Sequence, residues 1–202
     1  MTRVKFCGIT CVDDALAAVG FGADALGFVF AESPRKIDPQ RAREIIRRLP
    51  PFITTVGVFV DEPAELVQEM ALLCRLDALQ FHGHEPPEYC RCFDRKIIKA
   101  FRMGERTVLQ EIARYTDVDA FLLDSSAGGG TGQRFNWDLA RGISGRIILA
   151  GGLTPENVRE AIARIRPYAI DVSTGVEKCP GRKDPRLMRE FITSVRQCDQ
   201  RH

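Results

Sequence analysis

The sequence lacks any apolar run long enough to cross a bilayer, because its longest, residues 25–31 and 55–60, fall well short of the ~20 residues that a membrane helix needs. No apolar segment follows the charged residues at the N-terminus, so we expect no signal peptide, no membrane partner and a cytoplasmic protein. No linker rich in Pro, Gly or Ser and no low-complexity segment divides the chain. We therefore expect residues 1–202 to form a single domain.

The sequence also lacks the cysteine spacing of a metal or redox motif. Seven cysteines are present, but no two are spaced as CxxC, which excludes a zinc ribbon and a thioredoxin motif. His82 and His84 have the spacing of half a metal site, but no matching cluster of ligands accompanies them. We expect reduced thiols, no metal and no cofactor.

An excess of charge of one sign is absent as well. The chain has 29 Lys and Arg against 27 Asp and Glu, a formal net charge of +2. This balance predicts no general attraction to nucleic acid, so any anion site must be local.

What the sequence does contain is a repeated alternation of short apolar runs with longer stretches of helical spacing. The apolar runs predict eight strands, at residues 4–7, 25–30, 54–60, 78–81, 96–101, 120–123, 146–150 and 169–172. They are nearly continuous in apolar residues, as parallel strands buried on both faces are. The pattern favours an α/β fold, a single-domain (β/α)8 TIM barrel with short loops, whose usual length is ~250 residues and whose lower limit is ~200. An open doubly wound sheet is the alternative.

Several residues are expected to begin the intervening helices. Thr10, Asp61 and Thr154 are predicted N-caps, and Pro39 is predicted to open the second helix.

Two reactive residues come at the ends of predicted strands, where the working groups of a barrel lie. Cys7 ends the first strand, and its thiol can act as a base or nucleophile if its pKa is lowered; the alternative is a small buried apolar residue. Asp124 follows the sixth strand, where a carboxylate is costly unless it is used or hydrogen-bonded, and the alternative is a backbone cap. Together, one acid and one base are what a proton-transfer isomerisation requires.

The loops after the seventh and eighth strands contain glycine and hydroxyl residues, as the recurrent phosphate site of these barrels does. Either loop alone could be an ordinary turn. A glycine-rich stretch at 127–133 matches neither GxxxxGK[ST] nor GxGxxG, so it predicts a mobile loop or one that approaches an anion. Arg35, after the second strand, can hold a carboxylate or lie in solvent, and His82 can line the pocket or cap a turn.

Eight motifs occur in one order: VKFCGIT at 4–10, GADALGFVF at 22–30, VGVFV at 56–60, QFHG at 80–83, LLD at 122–124, GTG at 130–132, AGGLTPENV at 150–158 and DVSTGVE at 171–177. On these motifs the chain resembles the phosphoribosylanthranilate isomerases, over essentially its whole length. Each motif alone is weak, but the order and spacing are specific.

The resemblance implies a (β/α)8 barrel that converts N-(5-phosphoribosyl)anthranilate into 1-(2-carboxyphenylamino)-1-deoxyribulose 5-phosphate, an Amadori rearrangement in tryptophan biosynthesis. It implies that Asp124 is the general acid, that Cys7 as thiolate is the base, and that Arg35 binds the anthranilate carboxylate. Gln80, His82 and Asp171 would contact the substrate. The phosphate would be held by Gly130, Gly132, Gly151, Gly152, Ser173, Thr174 and Gly175. The enzyme would be a monomer or a homodimer.

Three other functions are alternatives to this one. The histidine-pathway aldose–ketose isomerase would use paired aspartates at the ends of strands one and five, where this chain has Cys7 and Ala100-Phe101. A non-catalytic phosphometabolite-binding barrel should lack one member of the acid–base pair. A flavin or nicotinamide enzyme on an open sheet would need a fingerprint that is missing here.

Overall fold

Eight parallel strands close into a barrel in the computed structural model, which describes residues 1–103, 108–125 and 137–199. The strands follow one another in chain order around the barrel, and β8 pairs with β1. This confirms the predicted barrel over the open sheet. The strands are β1 (Arg3–Cys7), β2 (Ala25–Val29), β3 (Thr54–Phe59), β4 (Ala78–Phe81), β5 (Lys96–Met103), β6 (Ala120–Ser125), β7 (Ile147–Leu149) and β8 (Ala169–Val172).

Helices connect the strands and pack outside them. In the described part of the chain they are α1 (Val12–Phe21), α2 (Pro39–Ile46), α3 (Ala64–Cys74), α4 (Pro87–Cys90), α5 (Val108–Ile112), α6 (Val158–Ile165) and α7 (Pro185–Asp199), with 3-10 helices at Trp137–Gly142 between β6 and β7 and at Thr174–Val176 after β8. None of these described helices is long and apolar enough to cross a bilayer.

The strand predictions agree with the structure to within a few residues, but one element was missed. After β8 the chain forms a two-stranded antiparallel hairpin, β9 (Glu177–Cys179) and β10 (Arg182–Lys183). Its turn contains Gly181, whose φ of 77° is a left-handed value that favours glycine. The strands are too short, and too charged, to show the alternation by which a hairpin is recognised.

Three of the predicted caps are wrong. Thr10 donates its hydroxyl hydrogen to the carbonyl of Gly181, Asp61 accepts from the backbone N–H of His84, and α6 begins beyond Thr154. In the first two cases a bond to a distant loop takes the side chain that a local cap would use. By contrast, α2 does begin at Pro39, with Asp38 accepting from the first-turn amides.

The apolar core has two parts because successive strand residues point to opposite faces. A large cluster lies between strands and helices. A smaller one, made mostly of alanine, fills the barrel: Val56, Ala78, Ile98, Ala100, Ala120, Leu122, Ile148, Ala150 and Ala169. These side chains leave room at the N-terminal ends of the strands, where a cavity of about 490 Å³ opens.

A buried ion pair outside the barrel fixes the loop after β4. Lys99 Nζ lies 2.8 Å from Glu85 Oε2 and 2.7 Å from the carbonyl oxygen of Gly83. Glu85 Oε1 accepts in turn from the backbone N–H of Asp61 at 2.9 Å. Both charged side chains are almost inaccessible to solvent, so neither charge can be left unpaired without a large desolvation penalty.

We therefore expect Lys99→Met to lower the free energy of unfolding by about 3–5 kcal/mol, because it leaves the Glu85 carboxylate buried without its cation. Urea denaturation followed by circular dichroism measures this loss. Lys96→Met on the same strand is the control, since Lys96 is exposed in its pair with Asp119 and such pairs contribute about 1 kcal/mol or less. Equal losses in the two variants would contradict the prediction.

Candidate active site

A second cavity, of about 310 Å³, opens at the C-terminal ends of the strands. Every site residue predicted from the sequence that falls in the described part of the chain lines it. They are Cys7, Arg35, Gln80, His82, Asp124, Gly151, Gly152, Asp171, Ser173, Thr174 and Gly175. The remaining two, Gly130 and Gly132, lie outside the described residues.

Cys7 reaches this cavity from the end of β1 and is held beside a buried lysine. Burial raises the pKa of the Cys7 thiol, and nearby Asp171 adds to the rise, while Lys5 and Lys183 lower the pKa without reversing it. Lys5 Nζ is 3.0 Å from Asp171 Oδ1 on β8. The net shift of the Cys7 pKa is therefore upward, opposite to the lowered pKa expected of a base. The positive charges of Lys5 and Lys183 nevertheless favour the thiolate form of Cys7.

Asp124 faces Cys7's cavity from the end of β6. Its Oδ1 accepts from the backbone N–H of Ser125 at 2.7 Å, and its Oδ2 lies 3.4 Å from His82 Nε2. The other ring nitrogen of His82 lies 3.3 Å from the amide nitrogen of Gln80. With that amide donating, the imidazole carries its proton on Nε2, the ring nitrogen nearer to Asp124. A carboxyl group so placed can exchange a proton with a substrate in the cavity.

Arg35 is held in position by the hairpin that follows β8. Its Nε and Nη2 donate to the two carboxylate oxygens of Glu177, at 2.9 and 2.7 Å. Burial raises the pKa of Glu177, but the bond from Arg35 and the charge of Lys183 outweigh it, so the net shift is downward and the side chain is ionised. This bidentate contact uses Nε and Nη2, so Nη1 can donate a hydrogen bond to a ligand.

The loops after β7 and β8 approach each other closely. Gly151 and Gly152 have φ values of 80° and 63°, in the left-handed region. A Cβ at Gly175 would stand 1.9 Å from the carbonyl oxygen of Leu153, so only glycine fits there. Both loops border the cavity, where backbone N–H groups can bind an anion without net basic charge.

Sequence reasoning missed three charged residues beside this site: Lys5, Glu177 and Lys183. Lys5 left a signal, because it interrupts an apolar strand two residues before Cys7 and so shares its face. Glu177 and Lys183 left none, since the residues through which they reach the site, Arg35 and Cys7, lie far away in the chain. In the described residues no group of His, Cys, Asp and Glu could hold a metal ion.

A thiol, a carboxyl group and two glycine-containing loops at the mouth of a (β/α)8 barrel define an isomerase of phosphorylated substrates as the class. The histidine-pathway alternative fails on the structure, because β5 ends in Phe101-Arg102-Met103, without an aspartate.

Comparison with known proteins gives the family. The sequence model described as N-(5'phosphoribosyl)anthranilate (PRA) isomerase matches residues 4–194. N-(5'-phosphoribosyl)anthranilate isomerase of Geobacter metallireducens is 56% identical over 95% of this chain and 98% of its own. The crystal structure of phosphoribosyl anthranilate isomerase from Thermotoga maritima superposes with a TM-score of 0.92 at 43% identity, covering 98% of this chain and 100% of that one. The chain belongs to the phosphoribosylanthranilate isomerase family, enzymes of tryptophan biosynthesis.

We expect Gly175→Ala to lower kcat/KM by roughly 100-fold, because the methyl group must push the β7 and β8 loops apart and misplace whatever they bind by ~1 Å. Steady-state turnover measures this. Gly20→Ala is the control, since nothing lies within 4 Å of a Cβ there. Full activity in Gly175→Ala would show that the close approach of the loops has no bearing on function.

Proposed function

We propose that this enzyme carries out the Amadori rearrangement of N-(5-phosphoribosyl)anthranilate with Asp124 as general acid and Cys7 as general base. The observation that carries the proposal is that Cys7 and Asp124 line one cavity together with the loops after β7 and β8. Each of these groups comes from a different strand end, so a substrate bound by its phosphate at the loops lies within reach of both.

The reaction begins with two proton transfers, which Asp124 and Cys7 catalyse. Asp124 donates a proton to the ring oxygen of the ribose, the bond from C1′ to that oxygen breaks, and the lone pair of the anthranilate nitrogen forms the iminium. The Cys7 thiolate then takes the C2′ proton, and the electrons of that C–H bond neutralise the iminium to give an enolamine. Tautomerisation to the ketone completes the isomerisation with no net gain or loss of electrons.

Arg35 binds the carboxylate of the anthranilate in this scheme, and Gln80, His82 and Asp171 border the sugar. The phosphate lies against Gly151, Gly152, Ser173, Thr174 and Gly175, with Gly130 and Gly132 as further proposed contacts. A structure described as phosphoribosyl anthranilate isomerase in complex with reduced 1-(o-carboxyphenylamino)-1-deoxyribulose 5-phosphate supports this substrate class; it superposes on this chain with a TM-score of 0.90 at 42% identity. That ligand has a carboxylate, the group that Arg35 would bind, and a phosphate, the group that the loops after β7 and β8 would bind.

We expect Cys7→Ala and Asp124→Asn each to lower kcat by ~100-fold to 10,000-fold, the contribution of one general acid or base, while phosphate binding stays close to that of the unaltered enzyme. Consumption of freshly made phosphoribosylanthranilate, followed by fluorescence, measures turnover, and calorimetry with inorganic phosphate measures binding. Cys11→Ala is the control, because Cys11 does not line the cavity. Wild-type turnover in either variant would refute the role of that residue.

We also propose one domain and a cytoplasmic location. All seven cysteines are free, which suits a reducing compartment. The eight strands of the barrel lie between Arg3 and Val172, and the last helix, α7, packs on α1 and α6. Elements from most of residues 1–202 thus belong to one packed unit. The balanced charge supports a small-molecule substrate and no nucleic acid partner.

A homodimer joined at the N-terminal ends of the strands is our proposal for the assembly. Phe52 is fully exposed and borders the cavity of about 490 Å³ at that end, so one chain offers both an apolar side chain and a space to receive it. Burial of the Phe52 side chain in the cavity of a second copy would remove apolar surface from water, which favours association. The relative from Thermotoga maritima is named as a dimeric enzyme from which monomers were generated, and the structure of those monomers superposes on this chain with a TM-score of 0.89 at 40% identity.

We expect Phe52→Asp to convert this dimer into a monomer, because the charge cannot be buried in the partner's cavity. Light scattering after size-exclusion chromatography measures the mass. Leu72→Asp is the control, since Leu72 is exposed elsewhere, outside that cavity. A wild-type chain that is monomeric at high concentration would overturn the proposed assembly.

A further inference from the structure

Lys5 is a buried charge beside Cys7 for which the scheme above has no role. Its side chain is almost inaccessible to solvent, and among the described residues the oxygen that its Nζ contacts is Oδ1 of Asp171, at 3.0 Å. An ammonium group in the middle of a barrel strand is costly to bury, and one carboxylate satisfies one of its three N–H donors. The side chain therefore has donors left for another acceptor.

The place of that acceptor is marked by Gly27 on β2, the strand next to β1. A Cβ at Gly27 would stand 2.8 Å from Cys7 Sγ and 3.0 Å from Lys5 Nζ. The sulfur and the ammonium group thus border the same small space, which exists because β2 has no side chain at this position. Residues two apart on a strand share a face, so Lys5 lies directly below Cys7.

We propose that Lys5 is a positioning residue that makes Cys7 competent as a base, by placing its ammonium group where a thiolate forms. The proposal rests on the proposed function, in which Cys7 removes the C2′ proton. Lys5 stays charged while it does so: burial lowers the pKa of Lys5, but Asp171 and Cys7 together outweigh burial and raise the pKa above its ordinary value.

Lys183 is the other buried cation near Cys7, and its hydrogen bonds show why it is less suited to this role. Its Nζ donates to the carbonyl oxygen of Cys7 at 2.6 Å, to that of Ser173 at 3.2 Å and to Glu177 Oε1 at 2.9 Å. Three oxygen acceptors use its three N–H donors. Lys183 thus holds the backbone at Cys7, whereas Lys5 faces the sulfur.

The other charged groups around the thiol have opposing signs. Arg35 is a further cation near Cys7, Asp171 is an anion on β8, and His82 and Asp124 face Cys7 across the cavity. Asp171 acts on the thiol in the opposite direction from Lys5, because its negative charge disfavours a thiolate. The two members of one ion pair should therefore have opposite effects on the acidity of Cys7.

The test measures the rate of iodoacetamide alkylation of Cys7 as a function of pH, by mass spectrometry of its peptide, since only the thiolate reacts. We expect Lys5→Met to move the alkylation profile about 1–3 pH units upward, as loss of a cation at this distance does. Below the midpoint, each unit slows alkylation about tenfold, because the thiolate fraction falls in proportion. Asp171→Asn should do the reverse and speed alkylation.

The opposite signs separate this role from a structural one. If the ion pair merely holds the barrel together, both variants break it and change Cys7 reactivity in the same direction, and that result would overturn the proposal. No change in Lys5→Met would overturn it as well. Lys99→Met is the matched control, because it breaks a buried ion pair of the same kind away from Cys7 and should leave the profile in place. The exposed Cys92 and Cys179 serve as internal references in every sample.

If Lys5→Met does not fold, as judged by circular dichroism, Asp171→Asn decides alone: faster alkylation supports the proposal, and equal or slower alkylation overturns it. A second readout uses turnover. The acid limb of the kcat/KM profile should move upward in Lys5→Met by the same interval as the alkylation profile. Alkylation of Cys7 needs no substrate, so its rate reports on Lys5 whether or not Cys7 is the catalytic base. Turnover of Cys7→Ala tests separately whether Cys7 is that base.

Discussion

The pairing of β1 with β8 closes the barrel and brings Lys5 into register with Asp171. The two residues are 166 positions apart in the chain, so their contact exists only when the sheet has closed completely. Above this ion pair lie Cys7 and the loops after β7 and β8, and below it lies the cavity at the N-terminal ends of the strands. The surroundings of the Cys7 thiol therefore depend on closure of the barrel between β1 and β8.

Much of this arrangement follows from local pattern. Buried parallel strands are nearly continuous apolar runs, and a reactive side chain that ends such a run, as Cys7 and Asp124 do, falls at the mouth of the barrel. Arg35, Gly151 and Gly175 were found in the same way. Residues that end different strands line the same cavity, although they are far apart in the chain.

The sequence pattern did not predict contacts between segments that are far apart in the chain. Arg35 and Glu177 are separated by 142 positions, and Thr10 bonds to the hairpin turn instead of capping its own helix. Such contacts depend on where loops meet in space, and no periodicity encodes that. Lys5 is the exception, since a lysine inside an apolar strand must find a buried partner.

The barrel has one cavity at each end, and the ion pair of Lys5 and Asp171 lies between them. Lys5 borders the lower cavity and Asp171 the upper one, so the charged pair divides the axis into two compartments. The mouth that holds the candidate site and the end at which we propose that a second copy attaches therefore point in opposite directions. Two subunits joined as proposed would keep both entrances open to solvent, and the joined surface would contain none of the residues proposed to bind or convert the substrate.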